Sequence, residues 1–345
     1  MKAAVLTAVD NIIYTAAPDP VLQKGDLLLR VKAATVCGTD IRILRGRKTA
    51  GIRYPSIIGH EFAGEVVDAG GHSQFKVGQS VAVCPAFACG HCDLCKAGAE
   101  NLCSNLVAMG YEIDGAFAEY VRIPTQGVAS GNVFAVPERT PPELIALAEP
   151  LACVINGQEQ VNIKPGDTVV VLGAGPIGIL HVKLAKLAGA ARVIVSQRSA
   201  LRRDAALAAG ADMVIDPVAE DTVERVKLET GGHGADVAIC AIGVLSLAND
   251  AIRMVRPRGR VNLFAGFVPG AMAELDVNAI HYKELAVTGA FGLTRAQYKR
   301  ALDLITSGQI ELSSMLTHRF PLHDIAKAVS AAESGAAIKV AITAA

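Results

Sequence analysis

Thr168-Val169-Val170-Val171-Leu172-Gly173-Ala174-Gly175-Pro176-Ile177-Gly178 is the stretch on which the fold turns. Its first five residues, apolar and rich in β-branched side chains, predict a strand buried in a parallel sheet. G-A-G-P-I-G follows, and then a helical pattern through Ile179, Leu180, Val182, Leu184, Ala185 and Leu187. Each glycine has a physical job in a dinucleotide-binding turn. Gly173 permits the bend, Gly175 lets the backbone approach a pyrophosphate, and Gly178 lets the helix pack close to the strand. Pro176 and Ile177 lie between the last two glycines, where free N–H groups and the positive end of the helix dipole face a phosphate. A second strand, Arg192 to Ser196, ends about 20 residues further on, as the motif requires.

Beyond this stretch the chain changes character near Pro141. After it, Glu143 to Val161 is predicted helical, and strands then alternate with helices. Val169–Leu172, Arg192–Ser196, Met213–Ile215, Val237–Ala241 and Arg260–Phe264 are the expected strands of a doubly wound parallel sheet. Before it, short β-like runs (Leu27–Ala33, Ala63–Asp68, Ser80–Val83, Phe117–Ile123) are separated by Gly and Pro, which predicts a β-rich, barrel-like domain. Met315 to Ala345 has a strand-helix-strand pattern and is expected to return to that first domain. Two domains also suit a chain of 345 residues.

Composition removes several function classes. Lys plus Arg and Asp plus Glu are 33 each, so there is no electrostatic footprint for nucleic acid or an anionic membrane. Trp is absent and aromatics are only 4%, which argues against stacking platforms for bases. No apolar run approaches a membrane span. The apolar N-terminus reaches Asp10 too soon for a signal peptide, so the cytoplasm is the expected location. Eight cysteines in such a chain point to metal rather than disulfides.

Four of those cysteines follow as Cys89-x2-Cys92-x2-Cys95-x7-Cys103. Thiolates at these gaps can wrap one tetrahedral Zn²⁺ with no open position, which makes a structural site. His91 inside the loop is expected to be exposed rather than a ligand, and Cys84 and Cys240 to be core residues. A second, mixed set consists of Cys37, in Cys37-Gly38-Thr39-Asp40, His60 and Glu61 after Gly59, and Glu149 before Pro150. Thiolate, imidazole and carboxylate together are the donors of a catalytic zinc that keeps a position for substrate.

With these motifs in place, the chain resembles the zinc-dependent medium-chain dehydrogenases, of the branch that holds sorbitol (L-iditol), threonine and related polyol dehydrogenases. The resemblance covers essentially the whole chain. It rests on C-G-T-D at 37–40, G-H-E at 59–61, V-G-Q-S-V-A-V at 77–83, the four-cysteine lobe, A-E-P-L at 148–151 and G-A-G-P-I-G at 173–178. It implies an α/β fold: a GroES-like β-rich catalytic domain (1–153 and 290–345, with a zinc lobe at about 84–108) and a Rossmann domain (154–289). The active site would lie in the cleft between them, and the protein would be a homo-oligomer, dimer or tetramer. Cys37, His60 and Glu61 look like zinc ligands, and Glu149 matches a glutamate that ligates zinc or holds its water; which glutamate binds is left open. Cys153 is a rival thiol nearby. Asp40 either backs an imidazole or backbone group, or caps the loop.

The implied reaction is hydride transfer between NAD(P) and a secondary alcohol or ketone of a polyol, sugar or sugar-derived acid, with zinc as Lewis acid. Thr39 holds the position of a proton-relaying hydroxyl, or else caps the helix after it. Where many relatives carry a relay histidine this chain has Arg42, which stays protonated and cannot shuttle a proton. Arg42 could instead meet a cofactor phosphate. The acid that ends the second strand in NAD-preferring members is replaced by Gln197, with Arg198, Arg202 and Arg203 after it. That set favours NADP(H) over NAD(H), with Gln197, Arg198 and Arg203 as cofactor contacts. Val287 to Thr294 aligns with a pocket loop but is less polar than a polyol would want. Arg45, Arg47, Lys48 and Arg53 either recognise an anionic group on the substrate or form a solvated loop. Within the family the alternative is another zinc alcohol dehydrogenase, threonine-type or for simple secondary alcohols; outside it, a zinc-ribbon nucleic-acid binder and a nucleotide sensor without catalysis compete with the enzyme.

Overall fold

The computed structural model describes residues 1–343. The chain divides into two compact units, Met1–Ala152 with Leu293–Ala345, and Cys153–Gly292.

In the second unit six parallel strands stand in the spatial order Met213–Ile215, Arg192–Ser196, Thr168–Leu172, Ala235–Cys240, Val255–Leu263 and Ala286–Gly289. Counted along the chain, that is third, second, first, fourth, fifth, sixth, the order of a doubly wound dinucleotide-binding sheet. Thr168–Leu172 is central because helices cover both faces, and Val169, Val170 and Val171 are all fully buried. The order reverses beside this strand, which puts the glycine turn at the switch point where such sheets bind ligands.

In the first unit a seven-stranded sheet is built around Leu27–Thr35. On one side it pairs with Glu61–Asp68, and on the other with Lys339–Thr343, which is followed in the sheet by Leu316–Pro321. Leu316–Pro321 and Lys339–Thr343 are thus strands of the first unit's sheet, and Ala344 and Ala345 of the expected segment lie outside the described residues. Leu27, Leu29, Phe62, Phe87 and Phe117 are at or near zero exposure in one continuous core. Two short strands, Ala86–Phe87 and Val107–Ala108, pair at the base of the cysteine lobe.

Two segments differ from expectation. The helix predicted over Glu143 to Val161 is two helices, Pro142–Ala146 and Ala148–Val161. Pro150 has no N–H to give and its ring would collide with the carbonyl four residues back, so the first helix must stop before it. The break places Glu149 in a first helical turn, where a carboxylate is favoured. The region expected as a loop from Val287 begins as the sixth strand, in which β-branched Val287 and Thr288 extend the sheet.

Gly178 lies where the first helix crosses its own turn. A Cβ built there would stand 1.9 Å from the Gly173 carbonyl oxygen. Gly178→Ala should therefore lower unfolding stability by about 1–3 kcal/mol, the usual range for forced overpacking. Denaturant titration of the purified variant measures this, and an unchanged midpoint would mean that the turn yields without cost.

Candidate functional site

Gly59 adopts φ +99°, and a Cβ on it would meet the Phe117 ring at 2.6 Å. Strain and collision together demand glycine, and the turn it makes delivers His60 and Glu61 at the head of a central strand. The paired strand Leu27–Thr35 leads to Cys37, which precedes the short helix Gly38–Leu44. Donor atoms of Cys37, His60 and Glu61 all lie within 4.8 Å of one another.

Asp40 ties this cluster together. The Cys37 N–H donates to its Oδ2 at 2.8 Å, and its Oδ1 lies 3.3 Å from His60 Nδ1. The second pair faces across without full hydrogen-bond alignment, and neither atom has another partner. One carboxylate thus caps the loop and backs the imidazole, so both roles considered for it are present. A carboxylate behind Nδ1 leaves Nε2 as the nitrogen for a metal. Burial opposes a charge on His60, yet Tyr111, Asp40 and Cys37 hold its pKa well above the ordinary value. Such an electron-rich pocket fits a cation.

Glu61 is fully buried. It accepts hydrogen bonds at Oε2 from the Thr35 hydroxyl and from the Lys339 ammonium, the latter at 2.5 Å. Its Oε1 has no partner. Lys339 is only 4% exposed. Burial works against its charge, and Glu61 and then Cys37 outweigh that and raise its pKa. Sequence reading missed Lys339; the available signal was one charged residue inside the apolar run Ile338-Lys339-Val340-Ala341-Ile342. Glu149 stands outside the 4.8 Å cluster, although its charge reaches Tyr111 and Lys339. Thr39 lies in the first turn of the Gly38–Leu44 helix, and Cys153 belongs to neither donor cluster.

The sulfurs of Cys89, Cys92, Cys95 and Cys103 make the second cluster. Cys89 to Cys95 is 3.9 Å, Cys92 to Cys95 3.4 Å and Cys92 to Cys103 3.9 Å. A tetrahedron of Zn–S bonds has edges of about 3.8 Å, so the spacing suits zinc. Backbone N–H groups of His91 and Cys92 draw the Cys89 thiol down to about 6. His91 is exposed, with its Nδ1 on the Cys89 carbonyl at 2.9 Å. Cys84 and Cys240 are buried, and burial pushes each thiol up to about 12, so both are inert core residues.

At the glycine turn, Gly175 has φ −72° and open space where a Cβ would stand, so neither backbone nor packing requires glycine there. That leaves room for a ligand to approach the backbone there. Pro176 and Ile177 begin the helix and Gly173 makes the bend at φ +101°. After the second strand, Gln197 accepts from the Ser199 N–H at 3.2 Å. Arg203 clamps this loop, donating to the carbonyls of Gln197 and Arg198 and pairing with Asp216 at 2.9 Å. Arg198 is exposed, and Arg202 Nε is buried without an acceptor.

Comparison with known proteins places this geometry in context. Residues 23–133 match the alcohol dehydrogenase GroES-like domain, and residues 176–307 match the zinc-binding dehydrogenase domain. L-threonine 3-dehydrogenase of Pyrococcus furiosus is 38% identical over 303 residues, 86% of this chain and 84% of that one. L-galactonate-5-dehydrogenase of Escherichia coli is 31% identical over 318 residues, 92% and 91% of the two chains. A structure described as a zinc-binding dehydrogenase of Sinorhizobium meliloti bound to NADP superimposes with TM-score 0.93 at 36% identity, over 99% and 98% of the chains.

Removing one partner of a buried ion pair costs about 3–5 kcal/mol. Lys339→Met should show that loss in thermal or chemical unfolding, and Lys339→Arg should recover part of it. Stability equal to the parent in Lys339→Met would mean that the pair contributes nothing to the fold.

Proposed function

The chain belongs to the zinc-binding, medium-chain alcohol dehydrogenase family, and on that premise we propose that it oxidises a secondary alcohol of a polyol, sugar or sugar-derived acid with NADP⁺, or reduces the ketone. The observation that carries the proposal is the convergence of Cys37, His60 and Glu61, a mixed donor set suited to a catalytic rather than a purely structural metal. The two curated relatives act on L-threonine and L-galactonate, both secondary alcohols that carry a carboxylate, so the sugar-acid member of the class is favoured.

Cys37 and His60 would hold the catalytic zinc, with Glu61 or Glu149 completing the set, and Cys89, Cys92, Cys95 and Cys103 a structural one. Bound zinc supplies Lewis acidity to the substrate oxygen, and the bound nicotinamide exchanges the hydride. Within the chain, Asp40 fixes the His60 ring and the Cys37 loop, so the donors are oriented before substrate arrives. Lys339 and Thr35 hold one oxygen of Glu61 and restrict its movement. Thr39 is assigned the hydroxyl proton of the substrate. Arg42 cannot take that proton onward, since guanidinium does not give up its charge, so its release needs a route other than this side chain.

Gly173, Gly175, Pro176, Ile177 and Gly178 would cradle the pyrophosphate. Arg198 and Arg202, beside Gln197 where an acid would repel it, would meet a 2′-phosphate, with Arg203 holding their loop. The NADP held by the Sinorhizobium protein supports this preference. A homo-oligomer and a cytoplasmic location complete the proposal. Among the described residues no helix is long and apolar enough to cross a membrane.

Purified protein should bind two zinc ions per chain and turn over a panel of sugar acids, polyols and simple secondary alcohols, read by absorbance of the reduced nicotinamide. Cys37→Ser should remove one zinc and abolish turnover while the protein stays folded, whereas Cys95→Ser should cost solubility. Turnover surviving in Cys37→Ser would refute the site assignment. Arg198→Ala should raise KM for NADP⁺ about tenfold and leave NAD⁺ nearly unaffected, given the strength of charge-assisted phosphate bonds. A preference for NAD⁺ in the parent would show the arginines to be surface charge.

A further inference from the structure

The helix Gly38–Leu44 that starts beside Cys37 carries Arg42 in its last turn. Just after it the chain folds back on itself. The N–H groups of Arg47 and Lys48 both donate to the Arg42 carbonyl, at 2.8 and 3.1 Å. That turn returns Lys48 to the neighbourhood of Arg42 and sets its ammonium 4.6 Å from the centre of the Tyr111 ring. Tyr111 in turn lies 5.3 Å, ring centre to ring centre, from His60. One cation, Lys48, therefore stands an aromatic ring away from the Cys37–His60–Glu61 cluster, and the Arg42 charge is near enough to act on it.

Their neighbours in the same loop are differently placed. Arg45 is bonded to Asp10 and Glu333, and Arg53 to Asp114 and the Glu112 carbonyl, so these two belong to the loop's own scaffold. Among the described residues, neither Arg42 nor Lys48 has a carboxylate within ion-pair distance, and Lys48 Nζ reaches only the Ala50 carbonyl, at 3.3 Å. Burial and the nearby Arg42 both draw the Lys48 pKa down, while Glu112 acts the other way. The Glu112 carboxylate is itself held by the Ala108 N–H at 2.9 Å. At Lys48 itself the charges that act are those of Arg42 and Glu112, and Glu112 is engaged with the backbone.

Given a dehydrogenase of secondary alcohols, we propose that Arg42 and Lys48 form a recognition subsite for an anionic oxygen group, carboxylate or phosphate, on the substrate end remote from its reacting hydroxyl. A guanidinium fork and a flexible ammonium are complementary donors for such a group, the first fixing its plane and the second its charge. The width of Tyr111 separates the subsite from His60, so the favoured substrate carries its reacting hydroxyl several carbons from the anion rather than next to it. The site thus selects a long-chain hydroxy acid or sugar phosphate over a neutral polyol of equal length.

Three six-carbon probes test this with the zinc-loaded enzyme: L-galactonate, a galactitol phosphate and neutral galactitol. The ratio of kcat/KM for the better anionic probe to that for galactitol should fall about tenfold in Arg42→Gln and in Lys48→Met, and Lys48→Arg should restore most of it. Calorimetric titration with the same probes reads binding without turnover and should show the same loss for the anionic probes. Whichever of galactonate and the phosphate loses more identifies the group. A ratio and an affinity that do not move in either variant would overturn the subsite, as would binding of none of the anionic probes to the parent. An equal rise in coenzyme KM for every probe would also overturn it, because the anion would then be the coenzyme's own phosphate. Absence of turnover together with charge-dependent binding would instead strike at the dehydrogenase reading and leave the subsite standing.

Discussion

A single buried ion pair sets the terms for the first unit. Lys339 and Glu61 meet at 2.5 Å on neighbouring parts of one sheet, each almost without solvent. Either charge alone at that depth would be prohibitive, so the strand Lys339–Thr343 and the strand Glu61–Asp68 are bound to one register about Leu27–Thr35. Thr35, opposite Glu61 in that register, adds the hydroxyl that completes the arrangement. The register has a chemical result. It orients the Glu61 carboxylate, while Asp40 holds the Cys37 backbone and faces the His60 ring. Cohesion and function in this unit rest on the same few polar atoms, and that explains why polar atoms are tolerated in its core.

The cysteine lobe has a different basis. Apart from Cys103, residues 89–103 are half-buried or exposed, and the lobe closes at its base on strands of two residues each. A segment with so little apolar burial cannot offset its own ordering entropy. Its four thiols converge with their sulfurs within 4.8 Å of one another, an arrangement in which a coordination polyhedron would take the place of a core.

Much of this was legible in the sequence. The glycine turn and the alternating pattern around it sufficed for the parallel sheet, because the spacing of such motifs reflects local geometry. The two clusters of donor side chains were legible for a related reason, Glu149 apart, since thiolate and imidazole in those patterns have few other uses. Asp40 could be suspected from its position, three residues beyond Cys37. The lone charge of Lys339 in its apolar run marked it as unusual, but its role and that of Tyr111 were not legible, because they depend on strands and loops that are distant in sequence and meet only through tertiary register. The break before Glu149 was missed because the apolar periodicity continues across it, and only the steric demand of Pro150 interrupts it. Arg203 illustrates the limit from the other side. Charge pattern alone grouped it with Arg198 and Arg202, while its three oxygen partners make it a clamp of its own loop.

The discontinuity of the first unit carries a consequence for biosynthesis. Residues 153–292 are translated between the two stretches that build that unit. All six strands of the intervening sheet are therefore available to fold before Lys339 leaves the ribosome, and domains fold largely as units as they emerge. Until then Glu61 lacks Lys339, and the Ala33–Thr35 end of the central strand lacks its neighbour, although Leu27–Arg30 already has Tyr120–Ile123 to pair with. Final closure of the Cys37–His60–Glu61 pocket thus waits for nearly the whole chain. All four thiols of the cysteine lobe precede the intervening unit, and so do Cys37, His60 and Glu61, whereas Lys339, the buried partner of Glu61, comes almost last.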